Sequence, residues 1–154
     1  MHQAAWLQEE KFAHVVRHAP LVSIDFILFN QAEQVLVGLR SNEPAKGRYF
    51  VPGGAIRKDE SLDNAFARIL KAELGWEGNR KDADFLGVFE HFYETNRFGD
   101  PAYGTHYVVL GYRIQCATPP TIAADQQHAH FAWMSVDELL ASATVHENTK
   151  AYFR

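Results

Sequence analysis

Between residues 53 and 75 the chain carries Gly53-Gly54, Glu60, Arg68 and Glu73, side chains of the kind that handle charged ligands. A glycine pair at the end of a short strand, Tyr49–Val51, lets the backbone turn sharply and approach a ligand closely. Leu62, Ala65, Phe66, Ile69, Leu70 and Leu74 recur at helical spacing. They predict a helix over Ser61–Leu74, with Gly75 as its stop. Glu73 falls beside that apolar stripe, four residues after Ile69 and three after Leu70. A charge there is costly unless it is paired or binds a cation. Hard oxygen donors suit Mg²⁺, which takes few carboxylates and completes its shell with phosphate oxygens and water. The plainer alternative is an exposed helix-end carboxylate in a salt bridge. Glu60 and Arg68 are open to two readings as well: a pair across the helix start, or direct contact with metal and phosphate.

Other residues of chemical interest lie further apart. Asp25 interrupts an otherwise apolar strand, Leu21–Phe29. It fits either a buried structural hydrogen bond or ligand contact. Arg40 ends a second strand, Val35–Arg40. His91, His106 and Tyr107 fall in strands Phe85–Tyr93 and His106–Cys116, where sheet histidines and a core tyrosine are the ordinary reading. Phe12, Phe92 and Tyr93 are candidates to stack on a base. His128-Ala129-His130 has the look of half a zinc site, but no Cys or His pair matches it.

Positioning these residues takes a mixed α/β arrangement. A helix is expected over Gln8–Ala19, ended by Pro20. The strands at 21–29 and 35–40 form a hairpin through a turn at 30–34. The loop Glu94–Thr105 is long enough to suspect function. Phe131–Met134 is a short strand, and Ser135 with Glu138 makes a capping box for a helix reaching about Ala143. A last helical turn follows Glu147. The order predicts an α/β sandwich, with helices on both faces of a mixed sheet.

Composition limits the classes. The 154 residues are 47% hydrophobic and 22% charged, the profile of one ordinary globular domain spanning 1–154. The net charge of −4 argues against a protein that coats nucleic acid. No apolar window approaches a membrane span, and no signal peptide is evident at the start. The single cysteine, Cys116, fits a reducing, cytoplasmic compartment.

The segment Gly54–Trp76 resembles the Nudix box, with Gly54, Glu60, Arg68, Glu73 and Gly75 in register. The resemblance implies a Nudix α/β/α fold and metal-assisted attack on a nucleoside diphosphate linked to another group. Two departures stand out. The family has Glu at the positions held by Ile69 and Ala72, so the helix face that usually carries three carboxylates keeps only Glu73. One Mg²⁺ is therefore expected, with other groups carrying the rest of the chemistry.

The chain also resembles, nearly end to end, the GDP-mannose mannosyl hydrolase branch of that family, which lacks the same two carboxylates. Phe50-Val51-Pro52-Gly53-Gly54, Lys58-Asp59-Glu60, His91-Phe92-Tyr93, Thr105 to Gly111, Gln127-His128 and the stretch Asn148 to Phe153 carry the likeness. This branch hydrolyses GDP-sugars to GDP and free sugar, with water attacking the anomeric carbon. The resemblance implies that Gly53, Glu73 and Gln127 hold Mg²⁺ and that His128 is the general base. It implies that Arg40 offsets charge on departing GDP, that Tyr107 and Arg68 assist near the diphosphate, and that Asp25 and His91 line the sugar pocket. It also implies a homodimer, with a nucleotide sugar as small-molecule partner. The branch carries Arg directly after the Gly pair. Here that position is Ala55, and Arg57 is the nearest replacement. Arg97, Asp100 and Pro101 in the long loop do not match the branch either.

Overall fold

The computed structural model describes residues 7–117 and 130–154. Helix α1 (Glu9–His18) leads into strand β1 (Leu21–Phe29), followed by β2 (Gln34–Leu39), β3 (Tyr49–Phe50) and β4 (Gly53–Ala55). Helix α2 (Leu62–Leu74) precedes the long strands β5 (Asp84–Tyr93) and β6 (Thr105–Gln115). Strand β7 (Phe131–Ser135), helix α3 (Val136–Ala141), helix α4 (Glu147–Lys150) and a 3-10 turn (Ala151–Phe153) complete the order. The sheet runs β3-β2-β1-β6-β5, with β4 beside β1 and β7 beside β2. It is mixed, because β1 lies parallel to β6 while the other pairings are antiparallel.

Alternation along β1 divides the core between two faces. Ile24, Phe26 and Leu28 pack with Phe66, Ile69 and Leu70 of α2. Ile27 and Phe29 pack the other way, with Val35, Val37, Leu139 and Val145. Helices therefore cover both faces, as the α/β sandwich requires. Asp25 shares its parity with Ile27, so it belongs to the face covered by the C-terminal segment.

Several local expectations hold to within a residue or two. Ser61 caps α2 by accepting from the Asn64 amide at 3.1 Å, and Gly75 ends it in the left-handed conformation (φ 67°). The capping box at Ser135 and Glu138 is formed, although α3 stops at Ala141 rather than Ala143. The glycine pair differs from expectation. Gly53–Ala55 is a short strand rather than a turn, pairing Gly53 with Asp25 and Ala55 with Ser23. Pairing to a central strand overrides the weak strand preference of glycine. A Cβ on Gly53 would overlap the Asp25 carboxylate and the Ile24 carbonyl, so only glycine fits there.

Candidate active site

A cavity of about 620 Å³ opens between α1, α2, β4 and the 94–104 loop. Its apolar wall includes Phe12 and Val16 of α1, and Ile69 of α2. Its charged lining is lopsided: Arg40, Arg57, Arg68, Lys71 and Arg97 against Glu43 and Glu73. A mildly acidic protein thus presents a locally cationic cleft, which suits a polyanion. Glu73 is 4% exposed, so its carboxylate is a wall group of this cleft and not a solvated helix-end charge. Ile69 and Ala72 line the cleft beside it, where two further carboxylates are missing.

Arg68 is held tightly. Its Nε donates to Glu60 Oε2 at 2.6 Å, and one terminal nitrogen donates to Glu60 Oε1 and the Ala55 carbonyl, both at 2.9 Å. The Arg68 hydrogen bonds hold the Glu60 carboxyl below its ordinary range. Glu60 and Arg68 thus form a pair across the helix start, and Arg68 ties the start of α2 to β4. Arg57 reaches the same cleft, where burial and then Arg68 lower its pKa. It brings a cation into the region left bare by Ala55.

The long loop takes its shape from Asn96, which is 1% exposed. Its amide donates to the carbonyls of Asp100 and Tyr103 at 2.8 and 2.7 Å, and its oxygen accepts from the Phe98 amide at 2.9 Å. That fold of the loop sets Arg97 over the rings of Phe12 and Phe98, at 5.4 and 5.5 Å. Arg97, Lys71 and Asn96 carried no role in the sequence reading. A buried asparagine that organises a loop leaves no spacing signature.

Beside the cleft lies a second cavity of about 70 Å³, lined by Asp25, Phe50, His91 and Tyr93. Arg40, Gly53, Gly54 and Tyr107 line both. Arg40 is steadied by donating from Nε to the Pro44 carbonyl at 3.0 Å and by lying over the Phe50 ring at 5.9 Å. Burial pushes the Asp25 carboxyl up to about 7, against the lowering effects of a hydrogen bond from Tyr152 and of Arg40. Burial and then His146 push His91 down to about 4, so its imidazole is neutral at neutral pH. Burial raises the phenols of Tyr93 and Tyr107. Apart from Arg40 at its border with the cleft, this smaller space is lined by polar groups whose charge burial partly suppresses.

Asp25, Arg40, Gly53, Arg68, Glu73, His91 and Tyr107 all line one or both cavities. Gln127 and His128 lie outside the described residues. His130 is described, and its carbonyl accepts from the Leu39 amide at 2.8 Å, one residue from Arg40. Of the stacking candidates, Phe12 lines the cleft and Tyr93 the smaller pocket. Phe92 is 64% exposed and stacks on His106 at 4.4 Å, away from both. His106 is a sheet histidine, as its strand position implied.

Residues 19–154 match the NUDIX domain family. The chain belongs to the Nudix hydrolase family. It is 33% identical over 123 residues to the low-salt glycan biosynthesis protein Agl8 of Haloferax volcanii, covering 80% of this chain and 76% of that protein. Among solved structures it resembles a MutT Nudix hydrolase from Burkholderia pseudomallei, with TM-score 0.69, 23% identity, and 88% of this chain and 96% of that one covered. It also resembles the Nudix domain of Shewanella oneidensis NrtR, solved with ADP ribose, with TM-score 0.67, 19% identity, and 99% and 96% covered.

Nudix hydrolases generally use divalent ions such as Mg²⁺. The donor chemistry here fits one such ion. Glu73 supplies a hard anionic oxygen, and the backbone of Gly53 lines the same cleft. Among the described residues no three His, Cys, Asp or Glu side chains gather to hold a metal.

Proposed function

We propose that this protein hydrolyses a GDP-sugar, GDP-mannose in the first instance, to GDP and free sugar by water attack at the anomeric carbon. The observation that carries the proposal is the pairing of a cationic cleft holding a single buried carboxylate with a small polar pocket next to it. The cleft suits a diphosphate, and the pocket suits hydroxyl groups. The name of the Haloferax relative, a glycan biosynthesis protein, agrees with a substrate that carries a sugar.

On this reading Glu73, the Gly53 carbonyl and Gln127 would hold one Mg²⁺, which would supply positive charge to the diphosphate. Arg40 stands where the two cavities meet and neutralises charge as it gathers on the departing GDP. Arg57 serves the diphosphate in place of the arginine missing at Ala55. Arg68, tied to Glu60, keeps β4 and α2 in register and adds its charge to the cleft. Tyr107 borders both spaces and orients the bond to be broken. Asp25 and His91 accept hydrogen bonds from the sugar. His128 is the base that takes a proton from water. With water entering opposite the leaving GDP, the first-formed sugar has the inverted anomeric configuration. The protein is further proposed to act as a homodimer in the cytoplasm.

Incubation with GDP-mannose and Mg²⁺, followed by chromatography of the nucleotides and proton spectra of the sugar, tests this. GDP and inverted mannose are expected. GMP with mannose 1-phosphate contradicts the proposal in favour of diphosphate cleavage. Tight binding without turnover contradicts it in favour of a nucleotide sensor. Replacing the base, His128→Gln, is expected to lower kcat by roughly 10²–10⁴ at neutral pH.

A further inference from the structure

Asp25 and His91 belong to different strands, and neither is fixed by its own neighbours in sequence. The C-terminal turn links them. The Tyr152 hydroxyl donates a hydrogen bond to Asp25 Oδ2 at 2.5 Å, and the Tyr152 hydroxyl oxygen lies 3.5 Å from His91 Nε2. The ring is seated edge-on against Phe89 at 4.6 Å and against His91 at 5.8 Å. A Cβ at Gly111 would crowd the Phe89 ring at 3.1 Å and touch the Tyr152 ring at 3.4 Å, so glycine suits the space beside this pair.

Counting protons gives the chain of bonds a direction. A phenol has one proton to give. Here Asp25 takes it, so Tyr152 can serve His91 only as an acceptor. The neutral imidazole then carries its proton on Nε2 and keeps Nδ1 as an acceptor. Asp25 is confined on its other side as well, because Oδ1 occupies the space that a side chain at Gly53 would need. The pocket beside these groups, about 70 Å³, has the volume of roughly two water molecules. It takes the hydroxyl edge of a sugar, not a whole ring.

Building on the GDP-sugar reading, we propose that Tyr152 is a positioning residue for sugar recognition. By donating to Asp25 and accepting from His91 it locks the carboxylate in place and fixes the histidine tautomer. Both groups are thereby kept as acceptors for two sugar hydroxyls.

Tyr152→Phe removes the hydroxyl and keeps the ring. Nitrogen-15 spectra of the ligand-free wild type, with His91 assigned by the signal lost in His91→Gln, are expected to show the Nε2-protonated tautomer. In Tyr152→Phe the two tautomers should mix. Calorimetry with Mg²⁺, with His128→Gln added to both proteins to suppress turnover, is expected to find GDP affinity within about twofold and GDP-mannose affinity roughly tenfold weaker when Tyr152 is Phe, the loss typical of a broken buried hydrogen bond. An Nδ1-protonated His91 in the wild type overturns the proposal, whether or not the variant folds. So does a variant that keeps the wild-type ratio of GDP-mannose to GDP affinity, or that loses both affinities alike. If the wild type itself binds GDP and GDP-mannose equally, the GDP-sugar reading fails and removes the premise. That failure appears in the wild type and is thus distinct from one confined to the variant.

Discussion

The two adjoining cavities solve different electrostatic problems with different materials. The larger one gathers five cationic side chains from four separate stretches of chain, Arg68 and Lys71 sharing α2, and each is at least partly exposed. The smaller one uses buried groups whose charge has been suppressed: a carboxyl raised to about 7 and an imidazole lowered to about 4. Long-range attraction, tolerant of position, serves the first. Short, directed hydrogen bonds, intolerant of position, serve the second. The lesson is that charge can be recruited loosely from a surface, whereas discrimination among neutral hydroxyls needs a packed and connected frame.

Four substitutions or conditions should break that contrast in graded ways. Glu73→Ala removes the one buried carboxylate of the cleft. Turnover with Mg²⁺ should fall about 100-fold or more, since even partners of a metal ligand are worth 10–100-fold. The ratio of GDP-mannose to GDP affinity should survive, because the pocket is untouched. Wild-type turnover in this variant would contradict the metal role. Arg40→Ala removes a side chain common to both spaces. Loss of a charged hydrogen bond, about 1.5–3 kcal/mol, corresponds to roughly 10–150-fold in kcat/KM. Steady-state kinetics check it, and a loss seen only in KM would assign Arg40 to ground-state binding.

The third test concerns the pocket alone. His91 faces Tyr152, Tyr93 and His146, with Asp25 beyond the Tyr152 hydroxyl. Its folded-state pKa is depressed from 6.5 to about 4, so the unfolded chain binds the extra proton first. The contribution of neutral His91 is fully present above about pH 6.5 and is lost as pH falls toward 4. Linkage sets the loss at up to about 3 kcal/mol. Urea unfolding at pH 7.5 and 4.5 should show a steeper decline for wild type than for His91→Gln. Equal declines would mean that His91 is not held neutral. The smallest effect is expected at Lys71, whose side chain is 68% exposed and pairs with Glu77 at 3.6 Å. Lys71→Ala should change KM less than about threefold, and the difference should vanish at high salt.

The order of elements and most of the cleft were legible in the sequence. The apolar stripe of α2 and its caps are local signals, and Glu73 beside that stripe pointed to a buried carboxylate. The roles proposed for Asp25, Arg40, His91 and Tyr107 come from the resemblance; residue type and place alone left Asp25 open and favoured an ordinary surface or sheet residue at the others. What stayed hidden depends on long-range packing. Tyr152 meets Asp25 from 127 positions away. Asn96 shapes a loop through backbone carbonyls, and Gly53 is needed because Asp25 fills the space of its side chain. Gly53 and Tyr152 sit in stretches that carry the resemblance, but none of these three contacts leaves a spacing that could be read from the chain. Even the pairing of Glu60 with Arg68, one of two roles open in sequence, becomes visible only in the 2.6 Å contact.

The central claim is that the cleft holds GDP as the leaving group while water attacks the sugar. Turnover of GDP-mannose with Mg²⁺ in ¹⁸O-water tests it most directly, with the products read by mass spectrometry. The label is expected in free mannose, with none in GDP. Label in a phosphate product, accompanied by GMP, would contradict it.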